Sequence, residues 1–89
     1  MEVTFQVSLY PIAQDNFRTP INGFIGDLKG SKLKVEVHET STIGTGEIDR
    51  AFDALKRAYV NACRSGPALM VLTVVNEHPS EKELSDLNK

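Results

Sequence analysis

Residues 33–49 read "LKVEVHETSTIGTGEID" and predict the middle of the fold. Apolar and polar residues alternate from Leu33 to His38, which indicates a strand with one buried face. A tight turn then reverses the chain into a short strand over residues 42–45, and a helix begins at Glu47. The predicted apolar face of this helix consists of Ile48, Phe52, Leu55, Tyr59 and Ala62. The stretch therefore predicts two adjacent strands followed by a helix.

The flanking segments extend this pattern in both directions. Residues 3–9 alternate as a first strand. Thr19 and Pro20 predict a helix start, because the hydroxyl can cap the helix and the missing proline N–H costs nothing there. Gly30 is placed to end that helix. The run 68–76 is apolar on both faces, so we expect a strand that is covered on both sides.

The element order β-α-β-β-α-β predicts an α+β, ferredoxin-like sandwich. Its four-stranded antiparallel sheet has the order 4-1-3-2, with both helices on one face. We expect one domain over residues 1–78 and an acidic C-terminal tail over 79–89 that could form a short helix. The other sheet face is predicted to carry Thr4, Gln6, Ser8, Tyr10, Lys34, Glu36 and His38, with apolar side chains from the last strand. This mixed face suits sheet packing in an oligomer, a ligand, or plain contact with solvent.

The composition excludes several classes of function. The 89 residues carry a net charge of −2, so the basic surface of a nucleic-acid-binding protein is absent. No apolar run reaches the length of a membrane span, and the N-terminus reads as a strand and not as a signal peptide. We therefore expect a cytoplasmic protein with no membrane insertion. Cys63 is the only cysteine, which excludes an internal disulfide and a multi-cysteine zinc site.

Several small polar residues are predicted to meet at one end of the sheet. The first and third strands are antiparallel neighbours in this topology, so Ser8 and Tyr10 should approach Ser41 and Thr42. The connection over residues 11–18 overhangs this place. The hydroxyls could equally be ordinary residues of strand ends.

The segment before the second helix contains glycines and hydroxyls, as many phosphate-binding loops do. A P-loop requires a lysine, but Gly46 is followed by Glu47, so phosphate is a poor ligand here. Glu47 and Asp49 have two interpretations. They could simply stabilise the positive end of the helix dipole, or they could bind an amino group or a cation.

Other chemistry has little support. His38 and His78 lack further ligands at metal spacing, so we predict no metal site. Cys63 is expected to be a core or boundary residue. No nucleophile and base form an evident pair, so we predict a protein that is not an enzyme, and an enzyme acting on a small amine is disfavoured.

The segments "VSLYPIAQDNF", "LKVEVHETSTIGTGEIDRAFDAL" and "VLTVVN" together resemble a known family over residues 3–76. It is the thiamine/hydroxymethylpyrimidine-binding family of small ferredoxin-like proteins (YkoF-like). The most specific parts follow the first strand and precede the second helix. Thr40 stands where the family commonly has methionine, whereas the neighbouring Ser41 and Thr42 match.

The resemblance implies non-catalytic binding of thiamine or its hydroxymethylpyrimidine moiety, with no other cofactor. It also implies a homodimer or homotetramer that assembles through sheet edges and sheet faces. An acidic site would suit the positive thiazolium ring, and hydroxyls would suit the aminopyrimidine. The predicted ligand-binding residues are Ser8, Tyr10, Gln14, Ser41, Thr42, Glu47 and Asp49. The alternative is a ferredoxin-like regulatory or assembly module without a small-molecule ligand.

Overall fold

The computed structural model describes residues 1–76. The predicted tail over residues 79–89, its proposed helix and His78 lie outside this range. The elements are β1 (Glu2–Pro11), α1 (Arg18–Lys29), β2 (Lys34–Val37), β3 (Thr42–Glu47), α2 (Ile48–Ala62), a 3-10 turn (Cys63–Ser65) and β4 (Ala68–Val75). Their order is the predicted β-α-β-β-α-β.

The four strands form one antiparallel sheet in the order β2-β3-β1-β4, which confirms the predicted order 4-1-3-2. Val7 of β1 lies opposite Thr42 at the beginning of β3. Pro11 at the end of β1 lies opposite Ala68 at the beginning of β4. One end of the sheet therefore combines the last residues of β1 with the first residues of both its neighbours.

The core lies between the sheet and the two helices. Alternate residues of β1 point to the helices because successive side chains of a strand face opposite ways. Phe5 and Val7 are almost completely buried there, against Phe24 and Leu28 of α1 and Leu55 of α2. Burial of these apolar groups is the main stabilising contribution to the fold.

The buried face of α2 agrees in part with the predicted one. Phe52, expected in the core, is 44% exposed. The buried residues are Ala51, Ala54, Leu55, Ala58 and Ala62. They recur at helical spacing, and their small side chains allow α2 to lie close to the sheet and to α1. Leu55 and Ala62 are buried as predicted, and Ile48 and Tyr59 pack against the core as partly buried residues. Only the position of Phe52 was predicted wrongly, because the prediction followed the largest apolar residues and overlooked the alanines.

Two helix starts differ slightly from expectation. Helix α1 begins at Arg18, ahead of the predicted start, and Pro20 occupies its first turn, where no intrahelical N–H bond is needed. The Asn16 side chain accepts from the Thr19 N–H at 3.3 Å. Strand β3 continues to Glu47 and α2 follows directly at Ile48, so the strand and the helix share a junction without a loop.

The outer sheet face is mixed, as predicted. Leu69 of β4 is 53% exposed and its neighbour across the strand pair, Tyr10 of β1, is 51% exposed. Val71 of β4 is also exposed. Among residues 1–76, β4 is thus covered mainly on the helix side, where Val74 is still 41% exposed, and cover on the second side stays a prediction.

Candidate functional site

A cleft opens at the end of the sheet where β1 finishes and β3 begins. We call it the end cleft. Its volume is about 320 Å³, within the range of small-molecule sites. It is lined by residues 7–10 of β1, residues 38–42 of the β2–β3 turn and the start of β3, and by Ile21, Phe24 and Ile25 of α1. Ser8, Tyr10, Ser41 and Thr42 thus meet in one cleft, as the strand pairing predicts.

Hydrogen bonds hold the polar wall of the end cleft in place. The His38 N–H donates to the Ser41 carbonyl at 2.8 Å and closes the turn. The Ser8 hydroxyl donates to the Thr40 carbonyl at 2.8 Å, and the Gln6 side-chain amide donates to the Ser41 hydroxyl oxygen at 3.2 Å. Because both β1 side chains bond to the turn, the turn is fixed relative to the sheet.

Thr42 differs from the other hydroxyl residues of the cleft. It is only 5% exposed, and it faces the cleft from the helix side of the sheet. Among residues 1–76 its hydroxyl makes no hydrogen bond, yet it is not sealed from the cleft. A hydroxyl can both donate and accept, so Thr42 offers one unused polar group to a ligand.

The sequence did not single out the apolar wall of the end cleft. Ile21 and Ile25 are half-buried and flank Phe24 on α1. All three recur at helical spacing along α1, a pattern that by itself indicates a stripe facing the core. The signal that could have found them is the position of Ile21 and Ile25 at the border of that stripe, near the N-terminus of α1.

Gln14 lies at the same end of the sheet but outside the end cleft. Its side-chain amide donates to the Pro67 carbonyl at 3.0 Å, next to the Ile12 N–H, which donates to the same oxygen at 2.8 Å. Gly66 lies against the Gln14 side chain. Gln14 therefore joins the β1–α1 connection to the turn before β4, on the side of β1 away from β3.

The predicted convergence of Glu47 and Asp49 with the hydroxyl residues does not occur within one chain. Glu47 lies opposite Glu2, at the far end of β3 from Thr42. At the usual rise of a strand, five residues place Glu47 about 16 Å from Thr42. The prediction failed because residues near in sequence along a strand reach opposite ends of the sheet. Neither acid lines the end cleft.

Glu47 instead caps α2. Its Oε2 accepts from the backbone N–H groups of Asp49 at 2.8 Å and Arg50 at 3.4 Å, and its Oε1 lies 3.6 Å from the Met1 ammonium. The hydrogen bond from Asp49 is the main cause that lowers the pKa of Glu47 below its ordinary value of 4.5. Asp49 lies in the first turn of α2, where the helix dipole favours an acid.

Replacing Glu47 with glutamine is expected to lower the melting temperature at neutral pH and to leave ligand affinity unchanged. The folded state lowers the pKa of this carboxyl, so its stabilising effect is present above pH 4.5 and is lost as the pH falls through the folded pKa. The difference in melting temperature between the two proteins should therefore shrink in acid. Thermal unfolding followed by circular dichroism between neutral pH and about pH 3 measures it.

Glu39→Gln provides the matched control for this experiment. It removes the same charge from an exposed turn residue that caps no helix, so the melting temperature should not change. A Glu47→Gln protein with wild-type stability and weakened ligand binding would contradict the capping role.

Cys63 and Tyr59 lie near the C-terminal end of α2, and each has a structural role. Cys63 is half-buried at the border of the core, as predicted. Tyr59 donates its hydroxyl to the Ala68 carbonyl at 2.7 Å. A hydrogen bond with Cys63 raises the pKa of Tyr59. The Tyr59 hydroxyl thus joins the end of α2 to the beginning of β4.

The fold and the end cleft define a small ferredoxin-like domain with an open cleft of small-molecule size at one end of its sheet. The chain belongs to the YKOF-related family, whose sequence model matches residues 2–81. This match confirms the YkoF-like resemblance of residues 3–76. No curated protein sequence matches the chain.

Solved structures share this fold at low sequence identity. Hypothetical protein MJ1052 from Methanocaldococcus jannascii has a TM-score of 0.79 and 20% identity, over 98% of this chain and 96% of its own. Protein SP2199 from Streptococcus pneumoniae has a TM-score of 0.80 and 18% identity, over 100% of both chains. TM0486 from Thermotoga maritima, provisionally assigned to thiamine biosynthesis or salvage, has a TM-score of 0.79 and 17% identity, over 100% of both chains.

Within residues 1–76, no group of three or more histidine, cysteine, aspartate and glutamate side chains is arranged to hold a metal ion. In the same part of the chain, neither helix has the length and apolar character that a membrane crossing demands.

Proposed function

We propose that this chain binds thiamine or its hydroxymethylpyrimidine moiety without catalysing a reaction, as a cytoplasmic carrier, buffer or sensor in thiamine metabolism. Membership of the YKOF-related family and the provisional assignment of TM0486 to thiamine biosynthesis or salvage support a thiamine-related role. The observation that carries the proposal is the end cleft, where the unused hydroxyl of Thr42 faces an apolar wall.

The end cleft has the groups that an aminopyrimidine requires. Apolar side chains of α1 can cover the face of a flat ring, and the Thr42 hydroxyl can bond an amino group or a ring nitrogen at its edge. The Ser41 hydroxyl, which accepts from Gln6, still has its own proton to donate. Tyr10 at the mouth can stack on the second ring, a contact typically worth about 0.5–2 kcal/mol for a cation.

Two observations favour binding over catalysis. The Ser8 hydroxyl is committed as a donor to the Thr40 carbonyl. The His38 imidazole Nε2 lies 3.6 Å from Glu36 Oε2, at the distance of an ion pair, and none of the hydrogen bonds among residues 1–76 joins this ring to a cleft hydroxyl. Neither serine of the cleft is therefore paired with a base in the way that an activated nucleophile requires.

Isothermal titration calorimetry tests the proposal with thiamine and with the free pyrimidine. We expect saturable heat with at least one of them and a rise of the melting temperature, because a ligand that binds only the folded state stabilises it. Absence of heat with both ligands at millimolar concentration, together with an unmoved melting temperature, would reject the ligand.

An assembly module is the second candidate, and the exposed apolar residues of β4 favour it. Leu69 and Val71 lie on the outer face of the sheet, where a second copy of the chain could cover them. We propose a homodimer or homotetramer built through sheet edges and faces. Sedimentation of Leu69→Ser against wild type tests assembly, and a protein that assembles but binds neither ligand would support the assembly module alone.

A further inference from the structure

The end cleft has an unusual balance of charge for a site that could meet phosphorylated ligands. Of the described residues that line it, only His38, Glu39 and Tyr10 can ionise, and neither lysine nor arginine is among them. Phosphate recognition normally depends on arginine, lysine or several free backbone N–H groups. The His38 N–H donates to the Ser41 carbonyl, so this one backbone donor of the turn is not available to a phosphate.

Glu39 is the carboxylate of this cleft. Glu39 occupies the exposed turn between β2 and β3. The neighbouring His38 lies beside Glu36 and therefore does not pair with Glu39. Glu36 does not line the cleft. The net effect is a negative charge at the mouth of a mostly apolar cleft. Such a charge attracts a cation and repels a phosphate group.

We propose that Glu39 makes the end cleft selective for a ligand with a fixed positive charge and no phosphate group. This inference rests on the proposed function. It means that the end cleft binds unphosphorylated thiamine more tightly than the neutral pyrimidine moiety and more tightly than the phosphate esters of thiamine. The pyrimidine lacks the cationic ring, so it gains nothing from Glu39. A phosphate ester places negative charge near the carboxylate, with no lysine or arginine of the cleft to balance it.

The test compares wild type and Glu39→Gln in calorimetric titrations with thiamine, the free pyrimidine and thiamine monophosphate. Glu39→Gln should weaken thiamine binding about two- to fivefold, as for an exposed ion pair, and leave the pyrimidine unchanged. It should also strengthen binding of the monophosphate. Raising the ionic strength to about 0.5 M should reduce the wild-type preference for thiamine, because salt screens exposed charges.

Glu47→Gln is the control, because it changes the net charge by the same amount at the far end of the sheet. It should leave the selectivity unchanged. Equal effects of Glu39→Gln on thiamine and pyrimidine, or tighter wild-type binding of the monophosphate than of thiamine, would overturn this inference while leaving ligand binding intact. Failure of wild type to bind either thiamine or the pyrimidine would instead reject the proposed function itself.

Discussion

Replacing Gly44 with alanine is expected to lower the free energy of unfolding by about 1–3 kcal/mol. Gly44 of β3 lies directly opposite Phe5 of β1, on the face that packs against the helices. A Cβ at this position would lie 2.2 Å from the Phe5 ring carbon Cζ and 2.6 Å from Cε2. The ring is 1% exposed and cannot swing away without displacing the core around it.

Urea denaturation measures this effect, and a loss of each kcal/mol should lower the melting temperature of a domain of this size by roughly 4–8 °C. Gly23→Ala is the matched control. Gly23 lies in α1 with nothing within 4 Å of an added Cβ, so alanine should stabilise the domain by about 0.5–1 kcal/mol. The same chemical change thus has opposite signs at two positions. A stability of Gly44→Ala equal to wild type would show that the Phe5 ring can move freely.

Replacing Thr42 with valine is expected to weaken binding of the proposed ligand by about 1–3 kcal/mol, or roughly 5- to 150-fold. The substitution keeps the shape of the side chain and removes the hydroxyl that faces the end cleft. A ligand amino group or ring nitrogen in this nearly buried position would then lose its partner. The unliganded protein should keep its stability, because the wild-type hydroxyl makes no hydrogen bond among the described residues.

Calorimetry measures the loss, and urea denaturation checks that the Thr42→Val protein is folded. Thr73→Val is the matched control, since Thr73 is exposed on β4 and does not line the end cleft. Its affinity should equal that of wild type. Wild-type affinity of Thr42→Val would place the ligand elsewhere on the molecule, and a large loss of stability would indicate a structural role for the hydroxyl.

The arrangement of the sheet could be predicted because it depends on local patterns. Alternation in residues 3–9 reports which side chains are buried, and Gly30 marks a helix end. Alternation in residues 33–38 reports the strand, but Val37 on its apolar face is 44% exposed. The order of the strands then follows from the limited ways in which such elements connect. The face of α2 could not be predicted as well, because alanine is only weakly apolar and its burial depends on how closely its neighbours approach.

Only part of the candidate site could be predicted from the sequence, namely the part that depends on strand pairing. Strand pairing brings Ser8 beside the turn that precedes Thr42, and that pairing follows from the topology. The far position of Glu47 depends on the length of β3, which continues beyond the predicted residue 45. The part played by Ile21 depends on the tertiary position of α1. No local sequence pattern indicates the length of β3 or the tertiary position of α1.

The central position of β1 has a consequence for synthesis of the protein. One neighbour, β3, is complete after residue 47, but the other is β4, which spans Ala68–Val75. Because the nascent chain leaves the ribosome N-terminus first, one edge of this ten-residue strand, which has one apolar face, stays unpaired until β4 emerges. During that interval the chain is exposed to aggregation and to capture by chaperones. A longer interval between the emergence of β3 and that of β4 would therefore reduce the yield of folded protein without altering the stability of the molecules that do fold.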